Sequence, residues 1–276
     1  MKRFRTDIQK QDACDQPDDY SKFNSALKLA IADSDSFVRD ILQGQPDPPL
    51  YFATMKRVNR DGISVTGGVP KVSKLELEAL RTLVADRSVV LLDTRDSWHG
   101  FLAGHVPRAV SAPLHSALFS NVAGSFIGEQ DKYVLIVEHP ENALEAMRML
   151  YRIGLDGVQG WIPYDEVHAA GLCTQRIPSQ NLTDFTPDAV GAEGVIVDVR
   201  TTAEYQSGHF SSALSLPYTR LKESIQQVPA GKKLYVHCAK GGRAAAASSF
   251  LESRGFDVVH LDGDVMPALR IAHQKV

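Results

Sequence analysis

Cysteine is scarce in this chain: Cys14, Cys173 and Cys238 are the three among 276 residues. An odd number at such wide spacing excludes a disulfide framework, and the spacing does not fit a zinc site. It points to the cytoplasm, where thiols stay reduced. Long apolar runs are also missing. No stretch reaches the roughly 18 residues of a membrane-spanning helix. The basic start at residues 1–5 is followed by no apolar segment, so neither a membrane partner nor a secretory leader is expected. Nor is positive charge in excess: 30 Lys and Arg stand against 33 Asp and Glu, a net charge of −3. A general nucleic-acid binder needs the opposite balance, so no nucleic-acid partner is expected. What remains is an ordinary globular composition, long enough for about two domains with real cores.

A domain-sized repeat runs through the sequence. Residues 89–113 read VVLLDTRDSWHGFLAGHVPRAVSAP, and residues 195–217 read VIVDVRTTAEYQSGHFSSALSLP. Asp93 and Arg95 match Asp198 and Arg200. Gly104, His105, Ala109 and Pro113 match Gly208, His209, Ala213 and Pro217. Further on, Gly154, Asp156 and Val158 match Gly255, Asp257 and Val259. The landmarks keep one order while the offset drifts slightly, as small loop insertions would cause.

In the second copy, residues 195–197 form a β-branched apolar run that reads as a buried strand. A short helix is expected at residues 202–205, then strands at 213–216 and 234–237. Residues 243–254 are Ala-rich without Gly or Pro and predict a helix, with Gly255 at its C′ position. A strand returns at 256–261. This alternation implies an α/β fold, each copy a mainly parallel sheet flanked by helices on both faces. The domains expected are an N-terminal extension at 1–70, a first copy at 71–172 and a second at 173–276. Within the extension, residues 1–20 read as polar and loose, and residues 22–42 as one or two helices with a break or cap at Ser34-Asp35-Ser36. Pro46-Asp47-Pro48-Pro49 stops any helix, and residues 62–70 read as a loop. The extension is too short for its own core and is expected to pack on the first copy or on a partner. Residues 171–187 read as the connection between the copies.

The stretch Val236-His237-Cys238-Ala239-Lys240-Gly241-Gly242-Arg243 carries the chemistry. A cysteine ends a strand, two glycines and two cations follow, and a helix begins. Backbone N–H groups in such a turn can curl around an anion, and the first helical turn adds unpaired donors and a positive end. Lys240 and Arg243 add full charges. All of these favour thiolate, the nucleophilic form, at Cys238. Gly241 and Gly242 allow unusual φ values and leave room above the sulfur. A lone cysteine is more often a core residue, but a core site does not require two cations beside it. A cysteine-phosphatase loop has one residue more between Cys and Arg than the four here. The shorter cradle suits a single outer sulfur better than a phosphate.

Asp198-Val199-Arg200, Glu204-Tyr205, Gly208-His209, Ala213, Pro217 and the Cys238 loop resemble a rhodanese domain, and residues 71–276 resemble two such domains in tandem. One departure is Ser211-Ser212, where the family often has Pro-Gly. The resemblance implies a sulfurtransferase working through a Cys238 persulfide. Ala239, Lys240, Gly241, Gly242, Arg243 and Arg200 would bind the substrate, and no cofactor or metal is implied. The donor would be thiosulfate or a small persulfide such as glutathione persulfide. The acceptor would be cyanide, glutathione or another thiol, with a protein partner in sulfide oxidation also in view. The alternatives are a non-catalytic persulfide carrier or adaptor and a Cys-dependent phosphatase or arsenate reductase.

The first copy lacks this chemistry. Val137, or with a one-residue shift Glu138, falls at the Cys238 position, and Pro140 and Glu141 stand in its loop. It reads as inactive, with a structural or docking role. Ser36-Phe37-Val38-Arg39 and residues 48–62 resemble the tail of a metallo-β-lactamase-fold persulfide dioxygenase. The metal-binding His-x-His-x-Asp-His run is absent, so no iron or zinc site is expected. Pairing of Asp198 with Arg200 competes with a substrate role for that arginine. His105 and His209 recur in both copies and read as fold residues, and His237 is not taken as a general base. Cys14 and Cys173 read as bystanders, the latter without a cationic setting. Lys56-Arg57 with Arg60 reads as a solvated face.

Overall fold

The computed structural model describes residues 33–42, 48–62, 68 and 71–274. Cys14, the polar start and most of the loop expected at 62–70 lie outside the described residues. The chain divides into two compact units, 1–46 and 47–276. In the first, the Asp33 carboxylate accepts from the N–H groups of Asp35 and Ser36 at 3.0 and 3.2 Å and so caps helix α1, Ser34–Leu42.

The second unit opens with helices α2 (Tyr51–Asp61) and α3 (Leu77–Ala85). There follow β1 (Val89–Asp93), α4 (Trp98–Ala103), β2 (Ala109–Ser111), α5 (Phe119–Phe126), β3 (Lys132–Val137), α6 (Asn142–Tyr151), β4 (Val158–Pro163) and α7 (Tyr164–Ala169). Their strands form a parallel sheet in the order β2-β1-β3-β4. A second set comprises β5 (Ser179–Asn181), β6 (Gly194–Asp198), α8 (Thr202–Gln206), β7 (Leu214–Ser215), β8 (Lys233–His237), α9 (Gly242–Ser253), β9 (Asp257–Asp262) and α10 (Val265–Gln274). These strands are also parallel, in the order β5-β9-β8-β6-β7. The fold is therefore α/β, with parallel sheets flanked by helices. Strand β5 lies in the stretch expected to be pure connection. Its residues are polar, so no apolar run announces it, and β9 supplies its pairing.

The two sheets repeat one local device. Arg95 and Arg200 each donate to the aspartate two residues earlier and to a glycine carbonyl, Gly104 at 3.1 Å and Gly208 at 2.7 Å. His105 and His209 each bond through Nδ1 to the carbonyl four residues back, at 2.9 and 2.8 Å, and each stacks on that residue's ring. The placement of Arg200 corrects its expected substrate contact. Its side chain is 2% exposed, and its Nη2 is shared between Asp198 and Gly208. Burial with a paired charge makes it a brace between β6 and the loop after α8, not a donor to a ligand.

Helix α9 joins the halves. Ala244, Ala245, Ala246 and Ala247 are all buried, as are Ser248 and Ser249, so the helix is enclosed on nearly every face. The Ser249 hydroxyl accepts from the Ser111 N–H at 2.9 Å, and Phe250 stacks on Phe126 with ring centroids 4.6 Å apart. One buried apolar cluster spans both halves. Removing Arg200 leaves Asp198 as an uncompensated buried charge, at a cost of about 3–5 kcal/mol. Arg200→Ala is expected to show that loss in the denaturant midpoint. A variant as stable as the parent would mean that the pair does not brace the fold.

Candidate functional site

Cys238 stands one residue past the end of β8, and four residues separate it from Arg243 in the first turn of α9. Gly241 caps the helix with φ +93°, a left-handed value that glycine adopts without steric cost. This turns its N–H onto the Cys238 Sγ at 3.2 Å. Its carbonyl accepts from the Ala245 N–H at 2.8 Å and from His260 Nε2 at 3.1 Å. Burial holds His260 below its ordinary pKa. The neutral ring then donates from Nε2 and accepts at Nδ1 from the Ser179 hydroxyl, 3.1 Å away. The Ala239 carbonyl is tied to the Val265 N–H at 3.1 Å. Among the described residues, the N–H groups of Gly242, Arg243 and Ala244 have no acceptor. They are the leftover donors of a helix start, set next to the sulfur, and they favour an anion there.

Two details depart from the expected cradle. Arg243 does not face the sulfur as a free cation. It makes a two-pronged pair with Glu204, both bonds at 2.7 Å, and each group is itself partly buried. Glu204 also accepts from the Thr201 N–H and hydroxyl, completing a capping box on α8. The Arg243 hydrogen bonds lower the Glu204 pKa to about 2. Lys240 is exposed and makes no ion pair among the described residues.

The second departure is the sulfur itself. Cys238 is 1% exposed, so it lies beneath the loop instead of open at its rim. The space the glycines were expected to leave is filled from elsewhere. A Cβ on Gly241 would stand 2.6 Å from Asp262 Oδ1 and 2.9 Å from the Trp98 ring. Trp98 belongs to α4, in the other half of the unit. His99 beside it reaches Asp262 Oδ2 at 3.0 Å, which ties α4 to the end of β9. Above the loop is a cleft of about 420 Å³ whose wall includes Asp96, Trp98, His115 and Ser116 and which reaches Gly242. The hydrogen bond that His115 donates to the Asp96 carboxylate holds the imidazole above its ordinary pKa. Sequence reasoning missed Glu204, His260, Asp262 and Trp98 as loop partners. Glu204 was visible as a motif residue. Trp98 gave no signal, because about 140 residues separate it from the loop it covers.

The first sheet settles its own equivalent position. Asp93 pairs with Ile136 as Asp198 pairs with His237, so Val137, not Glu138, stands where Cys238 does. His237 is buried, and both its ring nitrogens lack a hydrogen-bond partner in the structure. Burial also lowers its pKa. Cys173 does have a cation near it, Arg95, but Asp93 offsets that charge and burial pushes the thiol up. Among the described residues, no group of three or more His, Cys, Asp or Glu is placed to hold a metal ion. No helix among them is long and apolar enough to cross a membrane.

The sequence pattern of the rhodanese-like domain family matches residues 186–266. A rhodanese-like domain is present. It contains β6 through β9, the Cys238 loop and α9. The chain is similar to the tRNA uridine(34) hydroxylase of Salmonella schwarzengrund (strain CVM19633), 27% identical over 150 residues, which cover 48% of this chain and 43% of that protein. It thus spans less than half the length of that relative. Among solved structures it resembles a rhodanese-like domain protein from Staphylococcus aureus, at 27% identity and a TM-score of 0.30 over 32% of this chain and 88% of that one. It also resembles a thiosulfate sulfurtransferase from Pseudomonas aeruginosa, at 17% identity and a TM-score of 0.32 over 79% of this chain and 46% of that one.

The Arg243–Glu204 pair gives the rhodanese-like domain a pH signature. The Glu204 pKa is depressed in the fold, so its contribution to stability is complete above the ordinary value of 4.5 and is lost as pH falls toward about 2. Glu204→Gln is expected to be less stable than the parent at pH 7, with the gap closing across that acid window. Denaturant midpoints through the range measure it. A gap that does not change with pH would contradict the pairing.

Proposed function

We propose that this chain is a sulfurtransferase that carries sulfane sulfur on Cys238. The reading takes residues 71–172 as a domain without the nucleophile and residues 173–276 as the catalytic one. The observation that carries it is a cysteine sulfur at a strand end, touched by one amide N–H and followed by three unpaired ones at the start of α9. This is chemistry for holding a negatively charged atom at the sulfur.

In the first step the Cys238 thiolate attacks the outer sulfur of thiosulfate. A new S–S bond forms, the old one breaks, and sulfite leaves with the bonding electron pair. The product is Cys–S–S⁻, its charge on the terminal sulfur. The free N–H groups of Gly242, Arg243 and Ala244 are donors for that charge. In the second step cyanide or a thiolate attacks the terminal sulfur and the Cys238 thiolate departs, so charge balances in both steps. A glutathione persulfide donor would release glutathione thiolate in place of sulfite. Lys240 at the rim attracts an anionic donor, and the cleft above Gly242 is its route to the loop. Burial of Cys238 limits water around the persulfide once formed. The side-chain pair of Arg243 with Glu204 holds the loop in shape, leaving the Arg243 backbone N–H as its donor.

The similarity to a tRNA uridine(34) hydroxylase raises a second reading, hydroxylation of a uridine in tRNA. The net charge of −3 gives that reading no support from electrostatics. Incubation with thiosulfate or glutathione persulfide, followed by intact mass, is expected to show a gain of one sulfur. Cys238→Ser is expected to abolish the gain, and cyanide to discharge it as thiocyanate. A protein that takes up no sulfur from any sulfane donor would overturn the proposal. Uptake without discharge to any acceptor would make it a carrier, and phosphate-ester hydrolysis without uptake a phosphatase.

A further inference from the structure

A second cavity, of about 280 Å³, lies at the far end of α9 from the Cys238 loop. The helix spans 12 residues, so the two places are about 18 Å apart along it. Arg87, Arg108 and Arg254 line this cavity together with Val110, Phe126 and Phe250. No acidic residue is in its lining. Two carboxylates outside the lining act on these arginines from a distance: Asp86, which also accepts from the Ser88 N–H, on Arg108, and Asp131, which also accepts from Lys222 and the Gly128 N–H, on Arg254.

The three arginines differ from the others described above. Arg95, Arg200 and Arg243 each face a carboxylate. Among the described residues, Arg87, Arg108 and Arg254 make no salt bridge. Arg108 is also the one non-glycine residue among them with a positive φ, +69°, a strained value that persists only where surrounding structure holds it. What holds it is visible. Its Nη1 donates to the carbonyls of Val84 and Asp86 at 2.6 and 3.2 Å, and its Nη2 to that of Val89 at 3.4 Å. Neutral carbonyls fix the guanidinium in place, and the Asp86 carboxylate nearby makes no salt bridge with it. Burial, with Arg87 and Arg254 nearby, pushes the Arg108 pKa down. The Arg254 guanidinium lies 5.2 Å from the centre of the Phe250 ring.

Three like charges around one space repel one another, and a doubly charged anion between them relieves the repulsion. Guanidinium groups match phosphate oxygens with paired hydrogen bonds. The volume sits just under the roughly 300–1,000 Å³ of drug-sized pockets, so the ligand must be small. The aromatic and branched side chains ask for an apolar body behind the anion. We infer that this cavity binds a small organic phosphate, its oxyanion held by Arg87, Arg108 and Arg254 and its apolar part against Val110, Phe126 and Phe250.

Calorimetric titration of the full chain with phenyl phosphate tests this, with inorganic phosphate and phenol in parallel. Phenyl phosphate is expected to bind more tightly than inorganic phosphate, and phenol not measurably. The double variant Arg87→Ser/Arg254→Ser, which leaves the buried brace at Arg108 in place, is expected to weaken phenyl phosphate at least about tenfold. Its circular dichroism is expected to match the parent. Cys238→Ser is expected to bind as the parent does, which separates this cavity from the anion-binding loop. Absence of phenyl phosphate binding, equal affinity in the double variant, or loss of binding in Cys238→Ser would each overturn the inference. Binding of a short single-stranded RNA that the double variant loses, without binding of phenyl phosphate, would also overturn it, since the arginines would then serve a polymer backbone.

Discussion

The geometry of the candidate site depends on one backbone event, the passage from β8 into α9 through a glycine at φ +93°. That angle sends one N–H to the Cys238 sulfur and starts the helix so that the next three N–H groups have no carbonyl to bind. Any Cβ at position 241 would drive into Asp262 and Trp98. The turn is also pinned at the Gly241 and Ala239 carbonyls, by His260 and by the Val265 N–H. Preorganised donors of this kind pay no reorganisation cost when charge arrives.

Fixed charge is handled differently. The arginine that motif reasoning places against the substrate is bound to Glu204, and Arg200 is bound to Asp198. Backbone dipoles and the exposed Lys240 are thus what this loop offers to the anion of the proposed reaction. The other half of the unit shows the contrast. At the position equivalent to Cys238 it has Val137, followed by Glu138, and Pro140 removes an N–H donor from the turn. Its contribution to the site comes instead from α4, whose Trp98 covers the loop of the other sheet, and from the cleft wall at Asp96 and His115.

How much of this the sequence carries depends on the range of the interactions. The strand at 194–198, the helix at 242–253 and the strand at 257–262 follow from β-branched runs, an Ala-rich segment and the glycine after it, all local signals. The Cys238 loop is legible for the same reason, since the cysteine, glycines and helix start are contiguous. Burial of the sulfur was not legible, and neither was the approach of Trp98 from the other half to Gly241. The partner of Arg243 lies 39 residues away on α8, and spacing alone does not bring them together. Strand β5 escaped notice because Ser179-Gln180-Asn181 is polar and owes its conformation to a neighbour. The arginine cavity joins residues from distant segments, and the strained φ of Arg108 has no sequence signature at all.

The central claim is that the amides after Cys238 receive the charge of a transferred sulfur. It is tested most directly by a ¹H–¹⁵N correlation spectrum of the full chain before and after loading with glutathione persulfide. The expected result is that the Gly242, Arg243 and Ala244 amide signals move on loading, and that the Cys238→Ser spectrum stays unchanged. Stationary signals from those three amides in a protein that carries the added sulfur, on Cys238 or on another cysteine, would contradict it.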